Sequence, residues 1–148
     1  MMTKALRHNF VKFIPERLDE GVLYVSIDYC TAAHNCACGC GNKVITPITP
    51  TDWELAFNGE TISLSPSIGN WSFDCQSHYW VKRSEIQWAG RWSQDEIEEG
   101  RRKDQLKKLI HFSRADDLLE VSAEKEIKEV EQHHVQGFWQ KLLQKFGL

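Results

Sequence analysis

The stretch Trp53-Glu54-Leu55-Ala56-Phe57-Asn58-Gly59-Glu60-Thr61-Ile62-Ser63-Leu64-Ser65 decides the fold class. Two short runs of apolar and β-favouring residues flank Asn58-Gly59-Glu60. Asn and Gly both tolerate the positive φ that a tight turn needs, so the spacing predicts a β-hairpin.

The same texture continues on either side. Phe10 to Ile14 reads as a first strand closed by Pro15, and Asp19-Glu20-Gly21 as a turn. Val22 to Ile27 reads as a second strand, followed directly by a Gly-containing loop. Val44-Ile45-Thr46 is a short strand stopped by Pro47 and Pro50. Pro66-Ser67-Ile68-Gly69-Asn70 reads as a loop. Tyr79-Trp80-Val81 and Ile86-Gln87-Trp88 form a last hairpin around Arg83-Ser84-Glu85. Short strands with turns at close intervals predict an α+β, mainly β fold: a compact antiparallel sheet or sandwich. Five of the six tryptophans fall between Trp53 and Trp92, so large aromatic side chains are expected in its core.

The texture changes near Trp92. Ser93-Gln94-Asp95-Glu96 has the form of a capping box, with Ser93 as N-cap and Glu96 reaching back. A charged helix is expected from there towards Ile110, with Ile97, Leu106, Leu109 and Ile110 inward and Gly100 a weak point. A second helix is expected from about Ser122 to Phe146, with Ile127, Val130, Val135, Phe138, Trp139, Leu142 and Phe146 on one stripe. The organisation read from the sequence is a zinc-binding β domain over 1–92 and a helical C-terminal extension over 93–148. The stripe is expected to pack on the sheet, with docking to a partner or a second copy as the other use.

Bulk properties exclude several classes. Hydrophobic and charged fractions of 41% and 26% are those of an ordinary globular protein. A net charge of −3 predicts no nucleic-acid footprint. No apolar run has the length of a membrane span, and the N-terminal residues lack the apolar core of a signal peptide. A cytoplasmic location with reduced cysteines is therefore expected.

The chemistry concentrates in two segments, His34-Asn35-Cys36-Ala37-Cys38-Gly39-Cys40-Gly41 and Cys75-Gln76-Ser77-His78, which hold four of the five cysteines. Zinc takes four thiolate or imidazole ligands in a tetrahedron. Small residues between the cysteines let the loop fold back on one ion, and the interval before Cys75 contains the hairpin, so the segments can close together. His34, Cys36, Cys38, Cys40, Cys75 and His78 are six candidates for at most four positions. Cys38, Cys40 and Cys75 with Cys36 or His78 are the expected set. A surplus leaves open whether the zinc is a structural clip or keeps a position for a catalytic water.

Other groups have weaker claims. Ser65, Ser67 and Ser77 are candidate nucleophiles, with loop hydroxyls bonding backbone as the plainer role. Ser77 and His78 adjoin, but neighbours in a strand point to opposite faces, so adjacency makes no dyad. Glu54 and Glu60 are expected to be solvated acids, Cys30 a core thiol, and His133-His134 an exposed pair.

At His34–Val44, Ser63–Trp71, Cys75–Val81 and Ile86–Trp88 the chain resembles the bacterial family catalogued as domain of unknown function 6527. The resemblance covers about residues 8 to 92 and leaves out the helical tail. It implies a zinc-containing protein acting beside bacterial ubiquitin-like modifiers and their conjugation enzymes, as a peptidase that matures the modifier or removes it from targets. Carried over by motif, Cys36, Cys38, Cys40, Cys75 and His78 would form the zinc or active site, with His78, Ser77 and Ser67 the catalytic candidates. The expected activity is hydrolysis of a ubiquitin-like protein's C-terminal linkage, by zinc-bound water or a zinc-polarised carbonyl assisted by His78 or a serine. The other expectation is a non-catalytic zinc module that binds the modifier or its enzymes.

Overall fold

A computed structural model describes residues 1–116 and 118. The chain divides into two compact units, Met1–Arg102 and Lys103–Leu148. Among the described residues there are eight strands, β1 (Arg7–Phe10), β2 (Val22–Ser26), β3 (Thr31–Asn35), β4 (Lys43–Pro47), β5 (Glu54–Phe57), β6 (Ile62–Gly69), β7 (His78–Lys82) and β8 (Glu85–Trp88), and one helix, α1, over 94–116.

The strands form two four-stranded sheets, each in chain order: β1-β2-β3-β4 and β5-β6-β7-β8. Both contribute to one apolar core, built from Leu23, Val25, Ala32 and Val44 on one side and Ile62, Leu64, Ile68, Tyr79, Val81 and Ile86 on the other. The first residues tie the sheets together. The Leu6 N–H donates to the Ser84 carbonyl and the Ile86 N–H to that of Lys4, before the chain enters β1 of the other sheet.

The expected hairpin is present. Glu54 faces Ser65 and Phe57 faces Ile62 across an antiparallel pair. Gly59 sits at φ +95°, and the Asn58 side chain accepts the N–H groups of Glu60 and Thr61. Side-chain satisfaction of a turn's donors is the reason Asn serves there.

Other expectations are corrected. The sheets are not wholly antiparallel, because β1 pairs with β2 in parallel. The first strand is Arg7–Phe10 rather than Phe10–Ile14. It lies on a sheet edge with mostly exposed side chains, so its sequence lacks an inward apolar face, while Phe13 leaves the sheet and meets Tyr29 at 5.4 Å. The segment after β2 is not all loop, since β3 precedes the cysteines and its small Ala32 and Ala33 pack in the buried sheet. Residues 66–69 are strand, the end of β6 after a register shift between Leu64 and Ile68. No tryptophan among the described residues is fully buried; aliphatic side chains, Cys36 and Tyr79 fill the core, and Trp53 and Phe73 pack against it partly buried. Cys30 is exposed at φ +45° in the turn after β2.

The capping box forms at α1: the Ser93 N–H donates to the Glu96 carboxylate (2.7 Å) and the Glu96 N–H to the Ser93 hydroxyl (3.3 Å). The helix runs unbroken through Gly100. Of the four side chains expected inward, Ile97 is buried, whereas Leu106, Leu109 and Ile110 are exposed. Strand residues already fill the core of the sheets. The second helix, its apolar stripe and His133-His134 lie outside the described residues. No described helix is long and apolar enough to cross a membrane.

Candidate functional site

Two clusters grow from the ends of β3, β6 and β7. The first is the thiol group. Leaving β3, the chain makes a tight loop closed by the Cys36 N–H on the Asn42 carbonyl (2.8 Å) and the Gly39 N–H on the Cys36 carbonyl (2.9 Å). Gly39, at φ +84°, is required twice over: a Cβ there would stand 2.7 Å from the Met1 carbonyl oxygen. Between β6 and β7 a second loop, closed by the Asn70 N–H on the Ser77 carbonyl, presents Cys75.

The sulfurs of Cys36, Cys38, Cys40 and Cys75 all lie within 4.8 Å of one another. Cys36 is 3.4 Å from Cys38 and 3.9 Å from Cys75, and Cys40 is 3.7 Å from Cys75. A tetrahedral zinc with bonds of about 2.3 Å has sulfur–sulfur edges of about 3.8 Å. The donor set thus fits such an ion, and the four cysteines could hold a metal. Burial pushes the Cys36 thiol up and the Cys38 thiol up to about 12, while the Asn42 backbone N–H lowers Cys40 to about 7.

Around this group lies a buried polar network. Ser77 Oγ is 3.0 Å from Cys36 Sγ and accepts from the Asn70 amide at 2.9 Å. Tyr79 Oη lies 2.9 Å from His34 Nε2, and the Ala37 N–H donates to it at 3.5 Å. Burial lowers the His34 pKa to about 4, so its ring is neutral. His34 is therefore a bridge between the two sheets, from β3 to β7, and stands apart from the four thiols.

The second cluster is on the outer face of the β5–β8 sheet. Gly69 of β6 faces His78 of β7 in register, and Tyr79 faces Ile68. Alternation sends Ile68 and Tyr79 into the core and leaves Ser67, Gly69 and His78 on the opposite face. The extra β6 residues between Leu64 and Ile68 re-aim the strand, a common use of bulges next to functional groups. His78 Nε2 lies 2.9 Å from Ser67 Oγ, and His78 Nδ1 lies 3.1 Å from the Gly90 carbonyl oxygen. A carbonyl can only accept, so the ring proton sits on Nδ1 and Nε2 is free to accept the Ser67 hydroxyl.

Tryptophans enclose this pair. The His78 ring centroid lies 5.0 Å from Trp71, 5.7 Å from Trp80 and 4.9 Å from Trp92, leaving the residue only 5% exposed. Trp71 can lie there because Gly69 has no side chain; a Cβ would meet the indole nitrogen at 2.4 Å.

The sequence candidates are thus divided between two places. Cys36, Cys38, Cys40 and Cys75 come together; His78 joins Ser67 instead; Ser77 faces inward to Cys36 and Asn70. Ser65, Glu54 and Glu60 are exposed. Gly90, Asn70, Tyr79 and the tryptophan enclosure carry no local sequence pattern that marks them as site residues. Only the clustering of tryptophans hinted at the last.

A serine hydroxyl on the free nitrogen of a tautomer-fixed histidine is the working pair of serine hydrolases. The chain matches, over residues 10–89, the family described as "Bacterial ubiquitination-like system serine protease (BubE)", and it belongs to that family. That agrees with the link to a bacterial ubiquitin-like pathway expected from the motifs. No curated protein and no solved structure matches the chain.

Proposed function

We propose that this protein is a serine peptidase that cleaves the C-terminal linkage of a bacterial ubiquitin-like modifier, from a precursor or from a conjugate, in the cytoplasm. The observation that carries the reading is the 2.9 Å contact of Ser67 Oγ with His78 Nε2, together with the Gly90 carbonyl on Nδ1. The family supports both the reaction class and the pathway.

In this mechanism Ser67 Oγ attacks the scissile carbonyl while its proton passes to His78 Nε2. The tetrahedral intermediate collapses, and the leaving amine takes that proton from Nε2. Water then attacks the Ser67 acyl ester, giving a proton to Nε2. The second collapse releases the carboxylate product and returns the proton to Ser67. The Gly90 carbonyl occupies the place that a carboxylate holds in a Ser-His-Asp triad. It fixes tautomer and orientation but, being neutral, stabilises the imidazolium less.

In this reading Cys36, Cys38, Cys40 and Cys75 would hold a structural zinc, which when bound would supply a cross-link between the β3–β4 and β6–β7 loops. His78 is then the base, not a metal ligand, and Ser77 is a partner of Cys36, not a nucleophile. The modifier and its conjugates are the partners, and the conjugation enzymes are further candidates.

The test is cleavage of a modifier precursor fused to a reporter, with metal content measured in parallel. Ser67→Ala and His78→Ala are expected to keep the metal and lose cleavage, His78→Ala by about a hundred- to ten-thousand-fold. Loss of cleavage only when metal is stripped, with Ser67→Ala fully active, would return the chemistry to the metal.

A further inference from the structure

We propose that Trp92, seated against Gly100 of α1, is a positioning residue that holds the His78 imidazole in line with Ser67. The proposal rests on the Ser67–His78 reading, and Gly90, Trp92 and Gly100 lie beyond the family match, which ends at residue 89.

His78 stands on the outer face of a sheet, where the rings of Trp71, Trp80 and Trp92 rather than core side chains surround its imidazole. One contact, to the Gly90 carbonyl, fixes one ring nitrogen. Gly90 itself is held from few directions: a Cβ on it would have no neighbour within 4 Å. Upstream it is tethered by the Ala89 N–H on the His78 carbonyl (2.9 Å). Downstream, the next anchor is Trp92.

Trp92 is 41% exposed, too open to serve as core. Its contacts are instead specific. Its ring stacks on Trp71 at 5.5 Å with planes 20° apart, and meets the His78 ring at 4.9 Å and 74°. Its six-membered ring lies on Gly100, where a Cβ would come within 3.1 Å of the indole. Glycine is the least favourable residue after proline inside a helix. The fit to Trp92 gives its presence at position 100 a physical reason. Fixing Trp92 therefore constrains His78 twice, through ring contact and through the Gly90 carbonyl two residues before.

The experiment compares Trp92→Ala, Trp92→Phe and Gly100→Leu with the wild type, using cleavage of the modifier precursor and NMR of the His78 ring protons. Gly100→Leu favours the helix and crowds the indole, so a loss of function there cannot be ascribed to a weaker helix. Trp92→Ala and Gly100→Leu are expected to lower kcat about ten- to a hundred-fold with KM changed less than about threefold, as for a displaced catalytic group. Trp92→Phe is expected to recover most of the rate. Wild-type kcat in Trp92→Ala and Gly100→Leu, or a loss confined to KM, would overturn the proposal. If the wild type cleaves nothing, the proposed reaction fails and the NMR decides alone. Nuclear Overhauser contacts between the His78 and Trp71 rings that are lost in both variants support the positioning role; contacts kept in both end it.

Discussion

At the scale of single residues, the two halves of the Ser77-His78 pair have separate work. His78 faces outward to Ser67, and Ser77 faces inward to Cys36 and Asn70. A hydroxyl donating to a thiolate ligand tunes and orients it, and losing such a partner costs a metal site about ten- to a hundred-fold in affinity. If the four thiols hold a metal, Ser77→Ala should therefore weaken its binding by about that factor in a chelator competition, while Ser67→Ala leaves it unchanged. Tyr79 offers a second test. Its hydroxyl is the partner of His34 Nε2, and His34 Nδ1 has no hydrogen-bond partner among the described residues. Tyr79→Phe would leave a buried imidazole unpaired at both nitrogens. A loss of about 1–3 kcal/mol in denaturant unfolding is expected.

Among the elements, the capping box of α1 carries a pH dependence whose sign is fixed. The Ser93 backbone N–H, helped by the Ser93 hydroxyl, holds the Glu96 carboxyl below its usual value. A carboxyl depressed in the folded state adds stability at pH above its unfolded value, and that contribution fades as pH falls through the folded one. Helical circular dichroism of the wild type should therefore fall on acidification through the carboxylate range by more than that of Glu96→Gln, which keeps the geometry without the titration. This box was legible in the sequence because it is a local pattern of four residues. So was the Asn58-Gly59 hairpin. Strand β1 and the end of β6 were not. β1 is a parallel edge strand whose side chains are mostly exposed, so apolar alternation cannot mark it. In β6, Pro66 and Gly69 read as loop residues, yet both belong to a strand whose register shift brings Ser67 to His78.

For the whole molecule, the four cysteines join two loops that border the paired strands carrying Ser67 and His78. Their grouping was legible because thiols at short spacing have few other uses in a reduced protein. The division of labour was not, since six candidate ligands competed on sequence alone. Only the three-dimensional crossing of β3, β6 and β7 separates His78 from the thiols and gives it to Ser67. The tryptophans divide for a related reason: Trp53 packs against the core, while Trp71, Trp80 and Trp92 cover the sheet face bearing the histidine, and their number alone does not tell the two uses apart. Zinc affinity built on four thiolates is coupled to folding and to proton release. Chelation should accordingly lower the melting temperature and take cleavage down with it, and zinc, added back to refolded protein, should restore both. A chelated protein that keeps its melting temperature would remove the structural role of the metal.

In the proposed reaction Ser67, activated by His78, is the nucleophile. That role is tested most directly by treating the zinc-loaded protein with a fluorophosphonate and locating the adduct by peptide mass spectrometry. A single phosphonyl adduct on Ser67 is expected, abolished in Ser67→Ala and strongly slowed in His78→Ala, with Ser77 unmodified. An adduct on Ser77, or labelling that survives Ser67→Ala undiminished, would contradict it.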